Sequence, residues 1–305
     1  MSANVEVASL AASKKKLREK IAEKLRHVED ISIRAQSALT TNTLLKLPEY
    51  RNAKKIGIYM HMVIPTSVPR KKGTNVEVRT DTMIKYAFVD GKQVFLPRIV
   101  PSAKLDPQLQ ELFKSTQNQL HSEEAAQFFP FLFLKMTYMP DFRSVQNLVV
   151  MNKASHTYKI REPPEDGVDA FDESGLDLII VPGLGFNKHG HRVGRGKGFY
   201  DNYIRLHNTW SELSGRPKPL LVGIALKDQI VEPTDVIPRE EHDQILDIVL
   251  SGRDVYRVKG GKAEVPAELL ISETQKRELV RDPKDFDIED ILDEEAEKSV
   301  GSSTL

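Results

Sequence analysis

Between Gly194 and Asp201 the chain reads GRGKGFYD. Gly194, Gly196 and Gly198 alternate with Arg195 and Lys197, and Phe199 and Tyr200 lead into a carboxylate. Glycine at every second position lets backbone N–H groups approach an anion closely, while the cations between them neutralise it. Arg192 and Val193 stand just ahead, so a third cation enters the same stretch. The aromatic pair could pack on a flat ring system, and Asp201 could offer oxygens to a magnesium ion. This spacing suits a phosphate-bearing ligand. Two familiar phosphate loops are excluded residue by residue. A Walker A loop follows Gly-Lys with Ser or Thr, but Gly196-Lys197 is followed by Gly198, and His191 stands where the first glycine belongs. The dinucleotide pattern G-x-G-x-x-G fails at Phe199.

The surrounding elements fit a phosphate site. LDLIIVPGLGF, from Leu176 to Phe186, predicts a buried strand ending in glycines, and FYDNYIRLHNTW predicts a helix. A helix start offers free backbone N–H groups and a positive dipole end. Earlier, Ser13 to Leu47 reads as helical, with Leu17, Ile21 and Leu25 four apart, and Pro48 ends it. Strands are expected at Ile56–Met60, Val94–Leu96, Leu148–Met151, Leu176–Val181, Leu220–Leu226 and Gln244–Leu250, with Asp81 as N-cap of a helix after the first. Strands alternating with helices predict an α/β fold: a single Rossmann-like domain whose mostly parallel sheet is covered by helices. The domain is expected over 14–254, after a flexible N-terminus over 1–13. Two insertions interrupt it, at about 63–74 and about 104–135. The second opens on an Asp106-Pro107 cap pair and closes on FFPFLFL, whose phenylalanines are expected to pin it to the body. Residues 255–305 read as an acidic, partly disordered tail, with nine acidic against three basic residues from Arg281 to Ser299.

Composition removes several function classes. Among 305 residues there is no cysteine, so disulfides, thiolate metal sites and cysteine nucleophiles are out. Forty-four basic residues balance forty-four acidic ones, which gives no hint of the broad basic face of a nucleic-acid binder. No apolar run reaches the roughly 18 residues of a membrane span. The N-terminus lacks a targeting pattern, and the protein is expected to be cytoplasmic, a monomer, with neither membrane nor nucleic acid as partner.

With PGLGFNKHGHRVGRGKGFYDNY in view, the chain resembles the 5-formyltetrahydrofolate cyclo-ligase (methenyltetrahydrofolate synthetase) family, whose signature ends in G-x-G-x-G-[YF]-Y-D. KKKLREKI resembles the family's N-terminal K-x-x-x-R, falling on Lys14 and Arg18. Its E-x-x-T appears as Glu77 and Thr80, and EEHDQILDIVL resembles its last-strand motif. The resemblance covers most of 14–250, in order, without the insertions or the tail, and Phe199 replaces one tyrosine of the family's pair. It implies ATP-dependent closure of 5-formyltetrahydrofolate to 5,10-methenyltetrahydrofolate through a phosphorylated formyl intermediate, with release of ADP and phosphate. Its implied partners are ATP and a reduced folate, with or without a polyglutamate tail, and its implied cofactor is Mg2+. The implied ATP site comprises Lys14, Lys15, Lys16, Leu17 and Arg18 together with 192–200; Lys197, Arg195 and Tyr200 are the implied catalytic residues. Met60, Glu77, Met136 and Tyr158 join Arg195–Phe199 as the implied substrate contacts, and Asp201 and Asp243 as the implied metal ligands. The alternative is a non-catalytic nucleotide- or RNA-binding member of the same fold.

Overall fold

The computed structural model describes residues 2–62, 76–117, 132–148, 161–232, 235–240 and 243–258. All of them belong to one compact unit, Met1–Lys262; the acidic tail beyond Val258 lies outside the described residues, as do the 63–74 insertion and Val149–Met151 of the strand expected at Leu148–Met151.

The elements follow one another as α1 (Ser2–Arg26), α2 (Asp30–Lys46), α3 (Pro48–Asn52), β1 (Lys55–Gly57), α4 (Asp81–Val89), β2 (Gln93–Pro101), α5 (Pro107–Gln117), β3 (Leu132–Met139) and α6 (Phe142–Gln146). Then come β4 (Leu178–Val181), β5 (Gly185–Phe186), β6 (Arg192–Val193), α7 (Phe199–Leu213), β7 (Leu220–Ala225), β8 (Ile248–Ser251) and β9 (Asp254–Arg257). Seven strands form one sheet in the order β3-β2-β1-β4-β7-β8-β9. The five inner strands are parallel, and β3 and β9 close the two edges antiparallel. This is the expected α/β architecture. Its order reverses between β1 and β4: from β1 the chain winds outward to β2, and from β4 to β7 and β8. In such sheets the crevice beyond the strand ends at that reversal is where ligands bind.

Alternation along the strands divides the core into two layers. Leu178 and Ile180 face the cluster that holds Leu17, Ile21 and Leu25 of α1, whereas Ile179 and Val181 face the cluster with Tyr203, Ile204 and Leu206 of α7. All four strand residues are fully buried, which explains a continuous apolar run in place of a polar alternation. Each such side chain contributes roughly 1.5–3 kcal/mol.

Four local expectations change. The long N-terminal helical stretch begins at Ser2 and breaks at His27–Glu29 into two helices. Thr80, not Asp81, is the N-cap of α4; its side chain makes no cap hydrogen bond and turns instead to the segment after β1, donating to Tyr59 O at 2.7 Å. The end of the presumed 104–135 insertion is edge strand β3, whose Phe133 packs on Phe113 of α5 with ring centroids 5.0 Å apart. Strand β9 carries the sheet past the boundary set at 254. Asp106, by contrast, caps α5 as expected, its Oδ1 accepting from Gln108 N–H at 2.8 Å.

Candidate active site

The glycine loop leaves β4 through a small hairpin. Leu184 N–H donates to Val193 O at 2.8 Å, and β5 pairs with β6. Asn187 builds the turn between them, accepting from the N–H groups of His189 and His191 at 3.0 Å each. His189 and His191 thus serve a turn, and among the described residues no three His, Cys, Asp or Glu side chains group as a metal site. Gly196 and Gly198 take φ of 83° and 62°, left-handed values that glycine adopts without strain. Gly198 is the N-cap of α7 and brings no side chain to the helix's first N–H groups. The loop therefore ends on a positive dipole end.

Helix α1 closes over this loop. A methyl group on Gly185 would lie 2.4 Å from Ile21 Cδ1, so α1 packs its Ile21 directly onto this glycine. Arg18 then reaches the loop, its Nε–H donating to Gly194 O at 2.8 Å, with the guanidinium carbon 3.3 Å from where a Gly196 Cβ would stand. Burial pushes the Arg18 pKa down, and Asp243 and Glu240 oppose that. One turn earlier, Lys14 Nζ lies 2.5 Å from Glu240 Oε2 and 2.6 Å from Asp243 Oδ2. Lys15 and Lys16 are exposed, and Leu17 belongs to the core. Lys197 is also exposed, on the loop itself.

Two carboxylates stand on the elements beside the loop, Asp201 on α7 and Asp243 in the turn tied to it. Asp201 Oδ1 accepts from Arg192 Nη2 at 2.8 Å and from the Gln244 N–H at 3.1 Å, so the turn after Asp243 is tied to the first turn of α7. Asp243 Oδ2 also accepts the Glu240 N–H at 2.8 Å. Glu240 escaped the sequence reading, although its place in the acidic run REEHD, three residues ahead of Asp243, was a signal. Asp247 stands at a strand end, accepting from Leu221 N–H at 2.9 Å.

The opposite flank comes from the segment after β1. Glu77 Oε2 lies 3.4 Å from Arg195 Nη2, and Glu77 Oε1 accepts the Met62 N–H at 2.9 Å. Tyr200 packs against both core layers. Its hydroxyl is buried with no hydrogen-bond partner among the described residues, and burial, helped by Glu77, pushes its pKa up. Phe199 is half-buried on the α7 side.

The remaining expected substrate contacts lie in the core or outside the described residues. Met60 is buried in the α1-side layer, whereas Met136, on β3, is fully buried in the other layer. Tyr158 lies outside the described residues. The oxygen donors of Asp201 and Asp243 suit magnesium, which takes few protein ligands and keeps several waters. Both already face a cation, so the pair fits a metal shared with phosphate oxygens better than one held by protein alone.

A family model described as the 5-formyltetrahydrofolate cyclo-ligase family matches residues 10–252. The 5-formyltetrahydrofolate cyclo-ligase of Mus musculus is 31% identical over 241 residues, 78% of this chain and 93% of the mouse protein. That of Saccharomyces cerevisiae is 30% identical over 242 residues, 79% of this chain and 96% of the yeast protein. The NMR structure of Aquifex aeolicus 5,10-methenyltetrahydrofolate synthetase is similar with a TM-score of 0.50 at 23% identity, covering 82% of this chain and 95% of that one, a likeness of fold.

Proposed function

We propose a reaction for this enzyme, which belongs to the 5-formyltetrahydrofolate cyclo-ligase family: the ATP-dependent conversion of 5-formyltetrahydrofolate to 5,10-methenyltetrahydrofolate, ADP and phosphate. The observation that carries it is the bracketing of one glycine loop, with Arg18 on Gly194 at one flank and Glu77 against Arg195 at the other. A nucleotide phosphate chain on the Arg18 side and a folate on the Glu77 side would then meet over residues 194–198.

The formyl group is an amide and its oxygen is a poor leaving group. Transfer of the terminal phosphoryl group of ATP to that oxygen releases ADP and makes the oxygen expellable. The 10-nitrogen attacks the formyl carbon and closes the ring, its proton passes to the departing phosphate or to water, and the carbon–oxygen bond breaks as phosphate leaves. Phosphoryl transfer depends on positioning and charge neutralisation more than on a strong base. Lys14, Arg18, Arg195 and Lys197 supply positive charge from two directions. The left-handed Gly196 and Gly198 let the loop backbone approach the phosphates. Asp201 and Asp243 would hold a magnesium ion jointly with the nucleotide, and that ion would neutralise phosphate charge. Ring closure is intramolecular, so holding the folate in one orientation lowers its barrier by several kcal/mol.

The test is to mix purified protein, ATP, magnesium and 5-formyltetrahydrofolate and follow the methenyl chromophore. ATP-dependent appearance of the chromophore is expected. Nucleotide binding without turnover would overturn the reading in favour of a non-catalytic nucleotide-binding member of the fold.

A further inference from the structure

Thr80 closes the E-x-x-T motif, yet no phosphate or folate chemistry calls for its hydroxyl. Its neighbours give it a task. The segment after β1 and the segment before α4 run side by side, joined mainly through side chains. Thr80 Oγ1–H donates to Tyr59 O at 2.7 Å, and the His61 N–H donates to Thr80 Oγ1 at 3.3 Å. The Thr80 N–H in turn donates to His61 Nδ1 at 3.3 Å, and Tyr59 OH donates to Val78 O at 3.1 Å. Glu77 sits one step along the same pairing, joined to Met62 and Arg195.

His61 is 8% exposed, and its tautomer follows from its partners. A backbone N–H can only donate, so Nδ1 must carry a lone pair and the ring proton resides on Nε2. Nε2 lies 3.3 Å from Asp81 Oδ2, whose other oxygen is 2.8 Å from Arg161 Nη2. A chain of contacts thus runs from Arg161 through Asp81 and His61 to the Thr80 amide.

We propose that His61 is a positioning residue for the folate side of the site: its neutral ring, wedged between Asp81 and the Thr80 amide, holds the segment that presents Glu77 to Arg195. Protonation puts a second donor on Nδ1, facing the Thr80 N–H, and opens the bracket. The charged groups around the ring are Asp81 on α4, Glu77 and Arg79 on the segment before it, and Arg161 from the far side. Asp81 and Glu77 favour the cation, Arg79 and Arg161 oppose it, and burial outweighs them all and pushes the His61 pKa down. The bracket is therefore closed at neutral pH and opens only as pH falls below the ordinary histidine range.

The inference rests on the proposed folate role of Glu77 and Arg195, and two variants separate positioning from bulk structure. His61→Leu removes the acceptor and leaves a buried amide unpaired. It should raise KM for 5-formyltetrahydrofolate about tenfold while KM for ATP stays within about twofold. His61→Asn keeps an acceptor where Nδ1 stands and cannot be protonated. It should restore KM for the folate at neutral pH and flatten the rise of that KM that wild type shows in acid, after subtraction of enzyme-free cyclisation. Equal changes in both KM values, or an unchanged acid rise in His61→Asn, would overturn the proposal. If wild type forms no methenyl product, the proposed reaction fails by itself. Nitrogen NMR of His61 still decides the bracket in that case: a ring proton on Nε2 supports it, and one on Nδ1 refutes it.

Discussion

Asp201→Asn separates two roles that one carboxylate could fill. Asp201 Oδ1 is 2.8 Å from Arg192 Nη2, with side-chain exposures of 16% and 6%. Removing one partner of a buried ion pair costs roughly 3–5 kcal/mol, because the other charge stays buried and unpaired. Asparagine keeps an oxygen that can accept from Arg192 and from the Gln244 N–H. The loss is then charge alone, about 1–3 kcal/mol. For a domain of this size that corresponds to a fall in Tm of roughly 2–12 °C. If Asp201 also gives an oxygen to magnesium, the concentration for half-activity should rise about tenfold or more. Thermal unfolding reads the first effect and a magnesium titration of the methenyl-forming rate reads the second. A fall in Tm with unchanged magnesium dependence would make Asp201 a partner of Arg192 and nothing else. A double-mutant cycle with Arg192→Gln should give a coupling of at least about 1 kcal/mol. Unchanged Tm together with zero coupling would refute the electrostatic reasoning.

Three further outcomes are expected. Lys197→Ala should raise KM for ATP about ten- to a hundredfold without moving Tm, since the side chain is exposed on the loop; near-wild-type ATP kinetics would remove Lys197 from the site. Burial is the largest cause raising the Asp169 pKa, to about 6. Its stabilising effect is complete below the unfolded value of about 3.8 and is lost as pH rises through about 6, so Asp169→Asn, which still accepts the Phe171 N–H, should stabilise the protein by up to about 3 kcal/mol at pH 7 and not at pH 4. Denaturant unfolding at the two pH values checks this, and equal effects would refute it. His207 is the mirror case. Its Nε2 accepts the Leu176 N–H at 2.9 Å, and burial lowers its pKa to about 4, so its contribution is complete above the unfolded value of about 6.5 and lost as pH falls through about 4. His207→Gln should flatten the stability slope between those values, and an unchanged slope would point to other groups.

The sequence alone determined what local chemistry can determine. Alternating glycines and cations, a buried apolar run before them and an amphipathic stretch after them specified strand, loop and helix α7, because turn conformation and capping act over a few residues. The Asp106 cap was legible for the same reason. Strand β3 was not: the run LFLKMTYM buries residues toward both layers, so it lacks the alternation of a one-faced edge strand, and the stretch FFPFLFL that runs into it read as the end of an insertion. Strand β9 is short and mostly half-exposed, with little apolar signal. The family resemblance named the residues of the site, but the contacts that join them came only from the tertiary structure. Arg18 meets Gly194 across 176 positions and Lys14 meets Asp243 across 229, contacts that depend on the reversal of strand order between β1 and β4. His61 and Thr80 are closer in the chain, yet their bracket needs two extended segments laid side by side by the same crevice. Residue propensities act locally, whereas strand order follows from which apolar faces can be buried together, and that is decided by the packed chain as a whole.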